Sequence, residues 1–256
     1  YKMPKQFFED YGAVIGDEAH LFKAVSLTKI MTKLTDCKYR IGLTGTLDDS
    51  KTHKLVLQGL FGMVNKVVST AELIERKQLA NLKIKCLNLK YPEVEAKKVY
   101  GVKYFEELEY LTQNTARNKY IRNLTLALNG NTLCLFQLVE KHGKILHKLI
   151  EEKVDPKRKV FFVYGGTETD DREKIRAITE KSDNAIIIAS FGTFSTGINI
   201  RNLHNIVFSS PTKSPIRVLQ SIGRGLRVGD KKDSATVYDI SDDLTYKDKK
   251  NFTLTH

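Results

Sequence analysis

Gly12-Ala13-Val14-Ile15-Gly16-Asp17-Glu18-Ala19-His20 is the stretch on which the fold turns. Its first five residues, Gly12 to Gly16, are small or apolar and predict a strand covered on both faces, as the strands of parallel sheets are. That strand runs without a break into two carboxylates and a histidine, and open α/β sheets gather their ligands at the carboxyl ends of strands. A helix is expected next, with Ser26 as its N-cap and Leu27, Ile30, Met31 and Leu34 on one face. A second buried strand over Tyr39–Leu43 then delivers Thr44, Gly45 and Thr46 at its own carboxyl end.

Further along the chain, the strand-then-helix alternation resumes after a looser stretch from Gly62 to Leu82, and we place a boundary there, dividing the chain into residues 1–62 and 63–256. The second part is expected to open with a strand over Lys83–Leu89 and one long helix over Tyr104–Leu128. Further strands are expected over Thr132–Phe136, Val160–Tyr164, Asn184–Ser190, Asn205–Ser209 and Ala235–Ile240, with a helix capped by Thr169 between the second and third of these. Ser214 as N-cap with Pro215 at the first helical position announces another helix. Beyond Asp243 the sequence is polar and lysine-rich and reads as a frayed or truncated end. The fold class is therefore α/β, built on mostly parallel sheets.

Composition bounds the function. Among 256 residues, 41% are hydrophobic and 28% charged, and no apolar run is long enough to span a bilayer, so no membrane partner is expected. There is no signal-peptide pattern, which points to the cytoplasm, in a host cell if the protein is phage-encoded. Cys37, Cys86 and Cys134 are odd in number, far apart and set among apolar or β-forming neighbours, as reduced core thiols are. Forty-two Lys and Arg against thirty Asp and Glu leave a formal charge of +12, an excess that concentrates polyanions such as nucleic acid. The six histidines lack zinc-site spacing, and no G-x-S-x-G elbow supplies a nucleophile.

The polar clusters suit phosphate chemistry. Asp17 and Glu18 are neighbouring carboxylates, of which one can hold Mg²⁺ through its water shell while the other orients and deprotonates an attacking water. Thr44 and Thr46 have hydroxyls that can bond His20 and relay a change at the phosphate site. In Gln220-Ser221-Ile222-Gly223-Arg224-Gly225-Leu226-Arg227 the spacing puts Gln220, Arg224 and Arg227 on one helical face and turns Val218 and Ile222 inward. Two arginines so placed form an always-charged clamp for a γ-phosphate, and two glycines inside the helix argue against a plain solvated face. The Ala189–Asn199 segment mixes hydroxyls with glycine in what reads as a loop, offering donors to a sugar-phosphate backbone and to a nucleotide.

In this order the clusters resemble the later signature motifs of superfamily 2 helicases. Asp17–His20 resembles motif II, the DEAH box, and Thr44–Thr46 motif III. Leu133–Leu146, containing F-Q-L-V-E-K-H-G-K-I-L, resembles motif IV, Ser190–Asn199 motif V and Q-x-x-G-R-x-x-R at Gln220–Arg227 motif VI. The wording of I-G-D-E-A-H, I-G-L-T-G-T and S-I-G-R-G-L-R-V-G-D is nearest to the recombination helicases of T-even bacteriophages, over essentially the whole chain. The resemblance implies the end of a first RecA-like lobe and a second RecA-like lobe. It implies an ATP- and Mg²⁺-dependent motor that remodels branched DNA and RNA–DNA hybrids in recombination, repair and replication; the sequence does not fix its oligomeric state, for which a monomer is the default expectation. By residue, it implies Asp17 and Glu18 for Mg²⁺ and water, His20 and Gln220 linking the lobes, and Arg224 and Arg227 as fingers. Gly197 and Asn199 would lie near the nucleotide, and Ser190, Thr193 and Thr196 at the nucleic acid. One departure is large: no G-x-x-x-x-G-K-[ST] phosphate loop occurs in the chain, so these residues are expected to be a piece of a longer motor and inactive alone. A nucleic-acid-binding module without catalysis, and a duplex translocase that separates no strands, are the rival readings.

Overall fold

Strand β1 (Ala13–Gly16) pairs in parallel with β2 (Tyr39–Gly42), so that Gly16 and Gly42 face each other as the last pair of the register. This computed structural model describes residues 1–45, 47, 51–197, 200–212, 214–228 and 232–255, without the side chains of 23, 51–53, 195–197 and 215–217. The chain divides into two compact units, Tyr1–Ser69 and Thr70–His256, with the division inside the looser stretch from Gly62 to Leu82.

In the first unit, helices α1 (Val25–Lys33) and α2 (Lys51–Phe61) accompany the two strands, and Phe8, Met31, Leu34, Cys37 and Leu60 form its small core. The expected cover on both strand faces is not found, because Ile15 is 66% and Ile41 48% exposed. A two-stranded sheet with helices of this number leaves one apolar face bare. Ser26 lies inside α1, whose N-cap position is Ala24, without a capping side chain.

The second unit carries α3 (Thr70–Glu75), β3 (Asn81–Lys90), α4 (Glu93–Lys98), α5 (Tyr104–Gln113), α6 (Thr115–Ala127), β4 (Thr132–Phe136) and α7 (Lys144–Glu151). It continues with β5 (Val160–Val163), α8 (Thr169–Lys181), β6 (Ile186–Ser190), α9 (Phe191–Gly197), β7 (Asn205–Phe208), α10 (Pro215–Gly225), β8 (Ser234–Asp243) and α11 (Phe252–Thr255). The six strands form one parallel sheet in the order β3-β8-β7-β4-β6-β5. From β4 the chain moves outward to β5, returns to β6 beside β4, and then crosses to β7 on the other side. That reversal marks the topological switch point, where an open α/β sheet forms its ligand crevice. Every residue of β4, β6 and β7 is buried.

Four sequence expectations change here. The long helix over Tyr104–Leu128 is two helices, because Asn114 leaves the helical conformation and its Oδ1 accepts from Arg117 N at 3.0 Å, starting α6 afresh. Thr169 is the first residue of α8, and Glu168 occupies the N-cap position. Cys86 is exposed, since β3 is an edge strand paired only with β8. The lysine-rich end is not frayed. Leu244 is buried, and α11 is fixed by the buried Glu107 carboxylate, which accepts from Phe252 N (3.0 Å), Thr253 N (2.8 Å), Thr253 Oγ1 (2.7 Å) and Asn251 Nδ2 (3.0 Å).

Candidate nucleotide and nucleic-acid sites

Glycine at the end of both paired strands shapes the first unit's cluster. A Cβ on Gly16 would stand 2.9 Å from the ring tips of Phe22 and Phe61, and one on Gly42 would stand 2.9 Å from Phe61 Cγ. The two rings meet edge to face, 5.0 Å between centroids. The repeated Ile-Gly before each motif thus lets aromatic side chains pack straight onto the strand ends. The chain then turns sharply. Glu18 adopts φ 47° and ψ 50°, the left-handed region that costs a non-glycine residue about 1–2 kcal/mol. Its amide donates to Asp17 Oδ1 at 2.8 Å, while Ala19 N donates to Leu43 O at 2.8 Å and so ties the acidic turn to the Thr44 loop. Backbone held in a sparse region beside polar groups is a mark of functional sites.

The turn brings three groups together. His20 is buried, with Nδ1 3.0 Å from Thr44 Oγ1 and 3.2 Å from Glu18 Oε2. This is the hydroxyl contact that the sequence led us to expect of Thr44. Thr46, the other residue assigned to coupling, lies outside the described residues. Asp17 is exposed, and the amide of Glu18 engages one of its carboxylate oxygens. A single available carboxylate suits Mg²⁺, which keeps several waters and takes its other ligands from substrate phosphates. No group of three or more His, Cys, Asp or Glu residues able to hold a metal occurs among the described residues.

In the second unit the carboxyl end of the sheet holds the other candidates. Ser190 ends β6, and the segment read as a loop is the helix α9, anchored by the buried Phe191 and Phe194. Ser190 Oγ lies 2.8 Å from Thr193 Oγ1 and accepts from Thr193 N at 3.3 Å; both residues are buried, so their hydroxyls meet each other. Thr196 and Gly197 are on α9 with side chains not described, and Asn199 lies outside the described residues.

Helix α10 carries Gln220 and Arg224, both partly exposed, while Val218 and Ile222 pack against the sheet's core as expected. Arg227 is not on that helix. The helix ends at Gly225, and the backbone of Arg227 bridges antiparallel to Leu79, with Ala80 N donating to Leu226 O at 2.7 Å. Gly225 also has a structural reason that the sequence did not reveal, because a Cβ there would collide with Ile206 Cδ1 of β7. Gly223 has open space around its Cα.

Three supporting groups escaped the sequence reading. Lys232 is buried, and its ammonium donates to the carbonyls of Gly225, Arg227 (3.1 Å) and Arg201 (3.1 Å), closing the C-terminus of α10. A cation there complements the helix dipole, while burial lowers its pKa to about 8. Arg117 and Asp242, both with fully buried side chains, form a two-pronged ion pair at 2.8 and 3.0 Å. Tyr91 donates to the same carboxylate (2.7 Å), and Arg117 Nη1 donates to Ser209 O (2.7 Å), fixing the end of β7 from which the chain leads to α10. His142 completes the network. Asn118 Nδ2 donates to Thr112 O, so Asn118 Oδ1 accepts from His142 Nε2 (3.1 Å), and Ser210 Oγ lies 2.7 Å from His142 Nδ1. Burial, with Arg117 nearby, holds the His142 pKa well below the usual value, so the ring is neutral and its Nδ1 accepts from the Ser210 hydroxyl. A lone Lys, Arg or His in a helical or turn segment has no spacing that announces burial.

Residues 116–229 match the helicase conserved C-terminal domain. Over 251 residues, 97% of this chain, the sequence is 38% identical to the ATP-dependent DNA helicase uvsW of Enterobacteria phage T4, of which it covers 49%. It is 26% identical over 248 residues to putative helicase 22 of Sulfolobus islandicus filamentous virus, covering 92% of this chain and 43% of that protein. The crystal structure of T4 UvsW superposes on the whole chain with a TM-score of 0.59 at 35% identity, over 52% of its own length. The chain thus spans about half the length of the curated relatives it matches.

Proposed function

We propose that this chain, whose α/β fold is that of the helicase superfamily, is part of an ATP-driven phage motor that acts on DNA and on RNA–DNA hybrids, remodelling branched structures in recombination, repair and replication. The observation that carries this proposal is the strained turn after β1. Glu18 is held in the left-handed region, with its carboxylate 3.2 Å from a buried His20 that is itself bonded to Thr44. An ordinary acidic loop has no need of that strain.

In this mechanism Asp17 would hold Mg²⁺ through water, and the ion would supply charge neutralisation for the phosphates. Glu18 orients the attacking water and accepts its proton, and the turn that fixes Glu18 sets where that carboxylate points. His20 senses the state of Glu18 and passes it to Thr44, and with Gln220 it links hydrolysis to movement. Arg224 and Arg227 stabilise the charge that develops on the transferred phosphoryl group. Because Arg227 follows the helix on a strand-like bridge, its direction is set by backbone pairing with Leu79 and by Lys232 at the carbonyls. Gly197 and Asn199 approach the nucleotide. Ser190, Thr193 and Thr196 contact the nucleic-acid backbone, the first two after their mutual hydrogen bond opens or through the face of α9 they shape.

The chain contains no G-x-x-x-x-G-K-[ST] segment to cradle phosphates. By itself it is therefore expected to bind DNA weakly, with strong salt dependence, and to turn over no ATP. Phosphate release by the purified chain tests this, and hydrolysis above background contradicts it. In a complete motor, Arg227→Ala is expected to lower turnover by roughly 10³-fold or more while sparing DNA affinity. An equal loss of both would mean that Arg227 serves nucleic-acid binding instead.

A further inference from the structure

At the amino-terminal ends of β4, β5 and β6 the loops line an open cavity of about 480 Å³, a size typical of small-ligand pockets. It lies at the opposite end of those strands from Ser190, roughly 16 Å away along a five-residue strand. Lys153, Lys157, Arg158 and Lys159 line it, against two carboxylates, Asp155 and Asp183. Asp155 is already engaged, accepting from Lys157 N at 2.8 Å. Among the described residues none of the four cations makes an ion pair. Asn129 and Asn184 also line the cavity, with side-chain amides that make no hydrogen bond among the described residues.

The wall is built in advance. Arg158 donates to the carbonyls of Leu126 (2.9 Å) and Leu128 (2.8 Å) at the end of α6, which sets its guanidinium beside neutral acceptors only. Asn131, fully buried, accepts from Ala185 N at 2.8 Å, and its Nδ2 lies 3.0 Å from Thr179 O, 2.7 Å from Ser182 O and 2.8 Å from Asn202 O. The start of β4 is thereby riveted to the 182–185 loop that forms one side of the cavity. A preformed concavity in which four cations outnumber two carboxylates and asparagine amide donors are spare has the chemistry of an anion site.

We propose that this cavity binds phosphate groups, and that a nucleic-acid strand passing the amino-terminal edge of the sheet supplies them. Three exposed lysines along one loop suit an extended phosphodiester chain, each acting as a point charge, while the asparagine amides add directed hydrogen bonds. The proposal does not rest on the motor assignment, because no residue of the motifs lines the cavity.

The test titrates the full chain with a short oligothymidylate and, separately, with inorganic phosphate, following backbone amide resonances, with oligonucleotide affinity measured across salt concentrations. The amides of Asn129, Lys157–Lys159 and Asn184 are expected to shift. In Lys157→Glu/Lys159→Glu, with its fold checked by circular dichroism, oligonucleotide affinity is expected to fall about ten-fold, and the slope of log K against log salt by about 1.4, because two phosphates are no longer neutralised. If inorganic phosphate shifts these amides while the double variant binds oligonucleotide normally, the site stands and its ligand is a small phosphate compound. If neither ligand shifts them, the proposal is overturned.

Discussion

Strands β1 and β6 both end in residues assigned to phosphate or nucleic-acid chemistry, yet they are held by opposite means. Strand β6 is buried along its whole length between β4 and β5, and Ser190 at its end is packed and hydrogen-bonded to Thr193. In contrast, β1 has one neighbour, leaves Ile15 exposed, and ends under two phenylalanine rings before a strained residue. In the second unit the core over-determines where the site residues sit. In the first, two glycine–aromatic contacts and one tight turn do the same task, so the chemistry proposed there rests on a much smaller reserve of packing.

Removing the buried ion pair of the well-packed unit should have the greatest consequence. Arg117→Ala leaves Asp242 buried and unpaired, and thermal denaturation should show the second unit losing about 3–5 kcal/mol. Arg117→Met with Asp242→Leu should recover most of it. A loss below about 1 kcal/mol for the single variant would mean that water reaches the pair.

Glycine substitutions probe the two strand ends in turn. Gly16→Ala and Gly42→Ala should each cost about 1–3 kcal/mol through collision with Phe61, whereas Gly12→Ala, with open space, should cost less than about 0.5. Gly225→Ala should cost as much as Gly16→Ala and be relieved by Ile206→Val. Chemical denaturation monitored by a probe in each unit separates the two. If Gly225→Ala is silent, α10 is free to shift on β7 and the second unit is less rigid than its burial suggests.

A pH effect distinguishes the units next. The His142 pKa is depressed in the folded state, so the unfolded chain binds the extra proton more readily. The stability contributed by the neutral ring is therefore complete above about pH 6.5 and is lost as pH falls below it, by up to about 1.4 kcal/mol per unit. His142→Gln should flatten the stability difference between pH 6.5 and pH 5, as read from denaturation midpoints of the second unit. An unchanged slope would contradict a neutral, buried imidazole. The smallest effect is a gain: Glu18→Gly should stabilise the first unit by about 1 kcal/mol by removing the left-handed strain.

Much of this was legible in the sequence where local pattern and burial agree. Thr132–Phe136 is apolar from end to end and buried from end to end, and Ser214-Pro215 announced α10 because a fixed φ and a missing N–H suit a helix start. The placement of Asp17, Thr44 and Ser190 at strand ends followed from where apolar runs give way to polar residues, and the Thr44–His20 contact followed from that placement. What escaped depends on contacts distant in sequence. Asn114 breaks a continuous helical pattern through its own cap, and Glu107 fixes a tail more than a hundred residues away by accepting from its amides. The exposure of β1 reflects its neighbours and not its composition. Helical spacing placed Arg227 beside Arg224, but Gly225 ends the helix between them.

In the proposed mechanism Glu18 is the group that accepts the proton of the attacking water. Steady-state ATP turnover of a complete motor carrying Glu18→Gln, measured beside its equilibrium affinity for ATP, is the decisive test. We expect turnover to fall by roughly 10²–10⁴-fold with ATP affinity unchanged. Turnover within a few-fold of the unaltered protein would contradict that role for Glu18.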